Sequence, residues 1–455
     1  MPSPTFLQRA TLALTLLCTA PELNAFQAVE GLGSSLAALD DVDGDGISDF
    51  ALARRPSREA PKHVLDRVWI VSGGTGQLIR TLRPTRPGAE FGRTLVAVGD
   101  VDGDRCADLA IAGGGCVWVH SGRDGALVHE LAGPDHEADF VLGIAGGHDV
   151  DGDDRSDIAV FLGAERPQMN RIGTGHAGVV ALHSGATGRL LRVLGASGNA
   201  AFAAHAGGSA LVRVDAIALT GALAFCADRD GDGRAELVLG TRWSEWFGWK
   251  ERDGVTIVDA LSGARKQRFR TDQRLELAPW HIKALADQNG DGVEELAVAV
   301  FGRDLSIVSG ADGAELRQHE RTGGYPRGEG SSLEAIGDLD ADGVADYLWA
   351  GNEGGVVQDP GFVARFSGRT GAPLGFLDLD DEELARAICA GADACAIGDV
   401  NGDGLPELLV AIPQLDQLRV LSGKDGSELR RGLISAIDPT LRADPSPASA
   451  PGSSD

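Results

Sequence analysis

Short, almost wholly apolar runs recur along this chain: Phe50-Ala51-Leu52-Ala53, Leu109-Ala110-Ile111-Ala112, Ile158-Ala159-Val160, Leu296-Ala297-Val298 and Leu408-Leu409-Val410. A strand with one wet face alternates apolar and polar residues, whereas an unbroken apolar run of this length predicts a strand buried on both faces. Small residues alternate with large ones inside the runs, as sheets packed closely against each other require. No helical periodicity flanks them. The polar positions are just as regular. Before the buried strand of each unit stands the pattern D-x-[DN]-x-D-x-x-x-[DE], at 41–49, 100–108, 149–157, 228–236, 287–295, 338–346 and 399–407. After one further strand comes a turn S-G-x-[TD]-G, at 72–76, 121–125, 184–188, 309–313, 367–371 and 422–426, with a degenerate copy at 259–263.

Successive acidic loops start 49 to 79 residues apart. That is room for about four short strands and their turns, and strand-rich repeats of this size predict β-propeller blades. Two motifs, seven of each and strictly alternating, give seven blades. In the second unit strand A is expected at 94–99, B at 109–112, C at 116–120 and D at 126–131. The expected fold is all-β: a seven-bladed β-propeller over residues 26–433, with a calcium loop between strands A and B of each blade.

The loops carry the candidate chemistry. Oxygen-bearing side chains at positions 1, 3, 5 and 9 of a tight loop converge on one hard cation, and calcium takes six to eight oxygens at about 2.3–2.6 Å. The candidate ligands are Asp41, Asp43, Asp45 and Asp49 in the first loop; Asp100, Asp102, Asp104 and Asp108 in the second; and Asp149, Asp151, Asp153 and Asp157 in the third. They continue with Asp228, Asp230, Asp232 and Glu236; Asp287, Asn289, Asp291 and Glu295; Asp338, Asp340, Asp342 and Asp346; and Asp399, Asn401, Asp403 and Glu407. One copy would be an ordinary Asp-Gly turn; the series predicts up to seven Ca2+ ions, each clamping the A–B turn of its blade. An EF-hand would need a bidentate Glu at position 12 and flanking helices, but positions 10–13 are strand-like here. Position 6 needs a permissive backbone and is Gly in five copies, with Arg105 and Asp154 in the second and third. Arg tolerates a left-handed conformation least, so the second loop is expected to be the weakest. Asn289 and Asn401 lower the ligand charge of the fifth and seventh.

On these loops the chain resembles the FG-GAP repeat family, the integrin α N-terminal or VCBS-like repeat, over about residues 31–433. The resemblance implies a propeller whose D-x-D-x-D-G-x-x-D loops join the first two strands of each blade, bind calcium and serve cell adhesion. Phe91-Gly92 supplies one FG before a metal loop, while the GAP tripeptide is missing after strand B, and Gly371-Ala372-Pro373 falls in a C–D turn. That departure separates the chain from eukaryotic integrins but leaves the fold intact.

The formal net charge is −26, and 26 of the 28 residues at the ligand positions are carboxylates. The acidity therefore sits largely in the loops, and no basic stripe offers a nucleic-acid surface. Residues 1–25 read as a secretory signal, with Arg9 before an apolar stretch at 10–20 that is too short to span a bilayer. The expected location is secreted, periplasmic or at the cell surface, with no transmembrane segment and a monomeric state. Residues 434–455, rich in Pro, Ser and Ala, are expected to form a disordered tail. Cys389 and Cys395 stand close enough for a small disulfide in an exported protein, the alternative being buried thiols.

Chain direction puts the A–B and C–D turns on the metal face and the B–C and D–A connections on the other. Long B–C loops are expected at 54–66, 162–177, 241–254 and 351–361, with a long D–A linker at 195–221. The loop at 241–254 holds Trp243, Trp246, Phe247 and Trp249, and Trp280, His281, Tyr325 and Arg327 lie in D–A connections on the same side. This aromatic set is read as a platform for a protein or carbohydrate ligand, against the alternative that it packs as a local core. No G-x-S-x-G, H-E-x-x-H, P-loop or Cys–His cluster is present, so no catalytic residue is assigned. The expectation is an exported calcium-binding propeller that acts as an adhesion or ligand-binding module. The alternatives are a polysaccharide-active enzyme working on the opposite face, or a purely structural envelope or matrix protein.

Overall fold

A computed structural model describes residues 32–54, 67–86, 90–113, 115–132, 140–163, 178–196, 211–214, 218–244, 251–270, 279–300, 305–319, 332–352, 361–378, 393–412, 417–433 and 437. The apolar runs are the second strands of seven sheets, each built on four antiparallel strands consecutive in the chain, with a fifth strand added in blade 3. Blade 2 has strands Thr94–Ala97, Leu109–Gly113, Cys116–His120 and Leu127–Ala132, within a residue or two of expectation. First strands of successive blades touch from blade 1 round to blade 7, and the first strand of blade 7 (Asp393–Ala396) returns to that of blade 1 (Leu32–Ala38). The protein is a seven-bladed β-propeller.

The unbroken apolar runs follow from this geometry. Side chains of a strand alternate between its faces, and each face of a blade meets a neighbour. Ala51 and Ala53 join Leu109, Ile111 and Trp118 of blade 2 in one cluster, whereas Phe50 and Leu52 join Leu409, Ala411 and Val420 of blade 7 in another. Each of the seven interfaces has one such cluster. Truncating a fully buried residue such as Leu52 to Ala should cost about 2–5 kcal/mol. Ile437, inside the segment expected to be a tail, packs on the cluster that closes the ring.

A second device joins the blades. The third residue of strand D reaches over to backbone carbonyls of the C–D turn in the next blade. Arg80 Nη1 donates to Arg123 O at 2.7 Å, Arg192 Nε to Leu261 O at 3.0 Å, and Gln267 Nε2 to Ala311 O at 3.2 Å. Arg317 Nη1 donates to Gly368 O at 2.9 Å, and His129 Nε2 lies 2.5 Å from Gly185 O. Arg430 Nη1 closes the ring on Gly74 O of blade 1 at 2.7 Å. In blade 6 the third residue is Gly375, and its cross-strand partner, the buried Arg365, supplies the guanidinium to Ser422 O and Gly423 O instead. A Cβ on Gly375 would stand 2.4 Å from Arg365 Nη2, so glycine is what lets that side chain through.

All five expected connections give up residues to strands, two of them substantially. Strands B and C of blade 4 run Glu236–Ser244 and Glu251–Asp259, paired out to Ser244 with Glu251, so 241–244 and 251–254 are strand and not loop. Within 195–221, Leu211–Val214 adds a fifth strand to blade 3, parallel to Leu190–Ala196. Hairpin pairing continues past the buried centre with polar residues, and a parallel partner leaves no local pattern; neither carries the periodicity that marks a strand in sequence. Residues 55–66, 164–177 and 353–360 of the other B–C connections lie outside the described residues.

Candidate metal centres

Each acidic loop is wound around its first carboxylate. In loop 1, Asp41 Oδ1 accepts from Gly44 N at 2.6 Å and Oδ2 from Gly46 N at 2.8 Å. The bond from position 6 to position 1 recurs in all seven loops, through the N–H groups of Arg105, Asp154, Gly233, Gly292, Gly343 and Gly404 in the others. Winding the backbone this tightly places positions 4 and 6 at positive φ. Glycine fills most of these places, but Arg105 (71°), Asp154 (64°) and Ala341 (59°) hold the same conformation with a side chain, at a cost of about 1–2 kcal/mol for an ordinary residue. Arg105 takes the left-handed conformation that position 6 demands, and Ala341 shows that position 4 makes the same demand.

Position 9 anchors the loop to the blade. Asp49, Asp108, Asp157, Glu236, Glu295, Asp346 and Glu407 are all buried. Each accepts from the backbone N–H of position 2, as Asp157 Oδ2 does from Val150 at 2.8 Å. Where the residue is Asp, its other oxygen takes the N–H of the glycine in the C–D turn: Gly73 to Asp49 at 2.9 Å, Gly122 to Asp108 at 3.0 Å, Gly185 to Asp157 at 2.8 Å and Gly368 to Asp346 at 2.8 Å. These glycines rest on the carbonyl of loop position 8. A Cβ would stand 2.1 Å from Ser48 O at Gly73, 2.0 Å from Ala107 O at Gly122 and 1.9 Å from Ser156 O at Gly185. The turn's serine adds a hydroxyl toward position 5, Ser367 Oγ to Asp342 Oδ2 at 3.3 Å and Ser184 Oγ to Asp153 Oδ2 at 3.4 Å. The two sequence motifs are one structural unit, and the turn residues belong to the site.

The electrostatics of the loop diverge from anchor to rim. Burial pushes Asp108, Asp157 and Glu236 up to about 6, against the lowering effect of their backbone hydrogen bonds, and raises Asp49, Glu295, Asp346 and Glu407 in the same direction. At position 1, hydrogen bonds led by the position-6 N–H hold Asp228, Asp287 and Asp399 below the usual carboxylate range. In loop 3, burial and then the neighbouring Asp153 and Asp149 raise Asp151, whose Oδ1 is buried and accepts no hydrogen bond.

This arrangement fits a hard divalent cation. Ligand oxygens of Asp41, Asp43 and Asp45; of Asp100, Asp102 and Asp108; of Asp149, Asp151 and Asp157; of Asp228, Asp230 and Asp232; and of Asp287, Asp291 and Glu295 lie within 4.8 Å of one another. Oxygens on opposite sides of a calcium ion at about 2.4 Å are about 4.8 Å apart. The side-chain donors are oxygens, which suits calcium over thiolate- or imidazole-seeking metals. In loops 5 and 7 the amide at position 3 bridges the acids instead: Asn289 Nδ2 donates to Asp291 Oδ2 and Glu295 Oε1, both at 2.9 Å, and Asn401 Nδ2 to Asp403 Oδ2 at 3.2 Å and Glu407 Oε1 at 2.8 Å. Arginines of the C–D turn also reach two loops at position 5, Arg123 Nε to Asp104 Oδ2 at 3.0 Å and Arg369 Nη2 to Asp342 O at 2.9 Å.

The aromatic set is less fully described. Trp243 lies in strand B of blade 4, opposite Arg252, and Trp280 in strand A of blade 5 (Pro279–Leu285), next to His281. Both stand seven residues from the acidic end of their strands, roughly 23 Å along the chain, which puts them toward the face away from the loops; the two strands are in contact. Trp280 and His281 are thus strand residues and not part of a D–A connection. Trp246, Phe247, Trp249, Tyr325 and Arg327 lie outside the described residues, as does Cys389; Cys395 is buried in strand A of blade 7. Among the described residues no helix is long and apolar enough to cross a membrane.

No family model matches the sequence, and no curated protein matches it. Among solved structures, one match is a protein of unknown function from Bacteroides caccae, with a TM-score of 0.40 and 10% sequence identity, covering 74% of this chain and 96% of that one.

Proposed function

We propose that the loops bind calcium and that the protein is an exported propeller of the FG-GAP kind, which presents the face opposite the loops to a protein or carbohydrate partner. The observation that carries the calcium reading is the buried position-9 carboxylate, which ties the acidic loop to the C–D turn while its neighbours converge within one cation's reach. A cation at that point neutralises repelling acids and stiffens two connections at once. The C–D turn in turn receives the side chain from the preceding blade, so filled loops reinforce the ring as well as the blade. Extracellular modules bind calcium at about 0.1–1 mM. At ~2 mM calcium and a Kd of ~0.1 mM, one site adds about 1.8 kcal/mol, so six or seven independent sites add up to about 11–13 kcal/mol. EDTA should therefore lower the melting temperature strongly, with recovery on calcium and much less on magnesium, which demands near-ideal octahedral geometry. A melting curve indifferent to EDTA refutes the reading.

The partner face rests on the aromatic sequence from Trp243 to Trp249 and on the location of Trp243 and Trp280 toward the side away from the acidic loops. Tryptophan gives large contact area at low entropic cost. Trp246→Ala and Trp249→Ala should abolish binding on a glycan array or to matrix protein while melting temperature and calcium content stay unchanged. A drop of many degrees instead makes these side chains packing residues.

A further inference from the structure

Blade 4 departs from the other six at two places that face its own loop. The C–D turn opens with Ser in those six and with Asp259 in blade 4, adding a fifth carboxylate. The second residue of strand D is Ile79, Val128, Leu191, Leu316, Leu374 or Leu429 elsewhere, but in blade 4 (Arg265–Arg270) it is Lys266. The Lys266 ammonium contacts Asp230 Oδ2, at position 3 of loop 4. That oxygen faces the loop centre: the corresponding atom in loops 5 and 7 is the Asn amide nitrogen that bridges positions 5 and 9. The ammonium also acts on Asp259 and Glu236. Arg123 and Arg369, by contrast, approach their loops from the rim, with side chains 57% and 55% exposed against 26% for Lys266.

The charges agree. Loop 4 contains Arg229 and Arg234 beside its four acids. With Asp259 and Lys266 that makes five acids and three bases, a formal −2. Loop 1, with four acids and no base, reaches the same −2 only when it holds one calcium ion.

We propose that Lys266 is the resident cation of loop 4, an ammonium tethered where the other loops take calcium, so that blade 4 is clamped without metal. This rests on the reading of the other loops as calcium sites. Native mass spectrometry in excess calcium tests it. Lys266→Leu, which restores the aliphatic residue of the other blades, should bind one calcium ion more than the wild type. Asp230→Ala should bind the same number as the wild type, while Asp43→Ala, which removes a ligand oxygen from loop 1, binds one fewer. Equal counts for Lys266→Leu and wild type, or a lost ion in Asp230→Ala, overturn the proposal; if Lys266→Leu does not fold, Asp230→Ala decides. Should the wild type bind no calcium, the calcium reading fails on its own. Lys266 is then judged in EDTA, where Lys266→Leu must melt below the wild type, and an unchanged melting temperature overturns the proposal.

Discussion

Gly122→Ala separates the turn from the loop in a single blade. Gly122 is buried, its N–H donates to Asp108 Oδ1 at 3.0 Å, and a Cβ would stand 2.0 Å from Ala107 O. A methyl group at that distance forces turn and loop apart by roughly 1 Å or more, which breaks the bond. A buried hydrogen bond to a charged group contributes about 1.5–3 kcal/mol, and overpacking a filled site costs about 1–3 kcal/mol. The expected loss is therefore about 2.5–6 kcal/mol. Blade 4 is the internal control: it has Ala260 at this position and the longer Glu236 at position 9, so Ala260→Gly should change stability by less than about 1 kcal/mol. Denaturant unfolding at saturating calcium measures both variants, and hydrogen exchange should place the extra opening of Gly122→Ala in blade 2. A Gly122→Ala protein within about 1 kcal/mol of the wild type, or no more perturbed than Ala260→Gly, would refute the coupling of turn to loop.

Three further outcomes follow from the same geometry. Because burial raises Asp108 and Asp157 from 3.8, and Glu236 from 4.5, to about 6, the folded cation-free protein keeps protons between about pH 4 and 6 that the unfolded chain has released. Stability of that form falls as pH rises through the window, and the melting-temperature gain on adding calcium should grow from pH 5 to pH 7; a gain that is flat with pH contradicts this. Arg105→Gly relieves a positive φ of 71° and should stabilise the protein by about 1 kcal/mol, and Asp43→Ala should cost more than Asp102→Ala, both read from thermal melts. Arg430→Ala removes the side chain that closes the ring on Gly73 and Gly74; the loss should be about 1 kcal/mol or less for an exposed charged hydrogen bond screened by solvent, with faster hydrogen exchange in strands of blades 1 and 7 than in blade 3.

The blades were legible because two constraints leave strong marks. A strand packed on both faces must be apolar throughout, as Leu109–Gly113 is, and a cation loop must repeat its oxygens at fixed spacing. Strand bounds in blade 2 and the need for a permissive residue at position 6 followed from those marks. The inter-blade side chains left none, because a backbone carbonyl accepts from Arg80, His129 or Gln267 alike and the same task admits different residue types. Arg365 is harder still, since it serves from strand C through a gap left by Gly375. Trp243 was placed in a loop because the outer ends of blade 4's central strands pair through polar residues such as Arg242 and Asp253. Lys266 was overlooked as a charged residue on an outer strand; only its alignment with six aliphatic residues makes it stand out.

Whether the acidic loops are calcium sites is decided by counting ions and stability together. Elemental analysis of the folded protein at equilibrium with saturating calcium, with free calcium subtracted, and again after dialysis into metal-free buffer counts bound ions per chain and pairs each count with a melting temperature. The calcium reading, with loop 4 held by Lys266, gives six calcium ions per chain and a melting temperature that falls in step as they are removed. One ion or none, with the melting temperature unchanged, would contradict it.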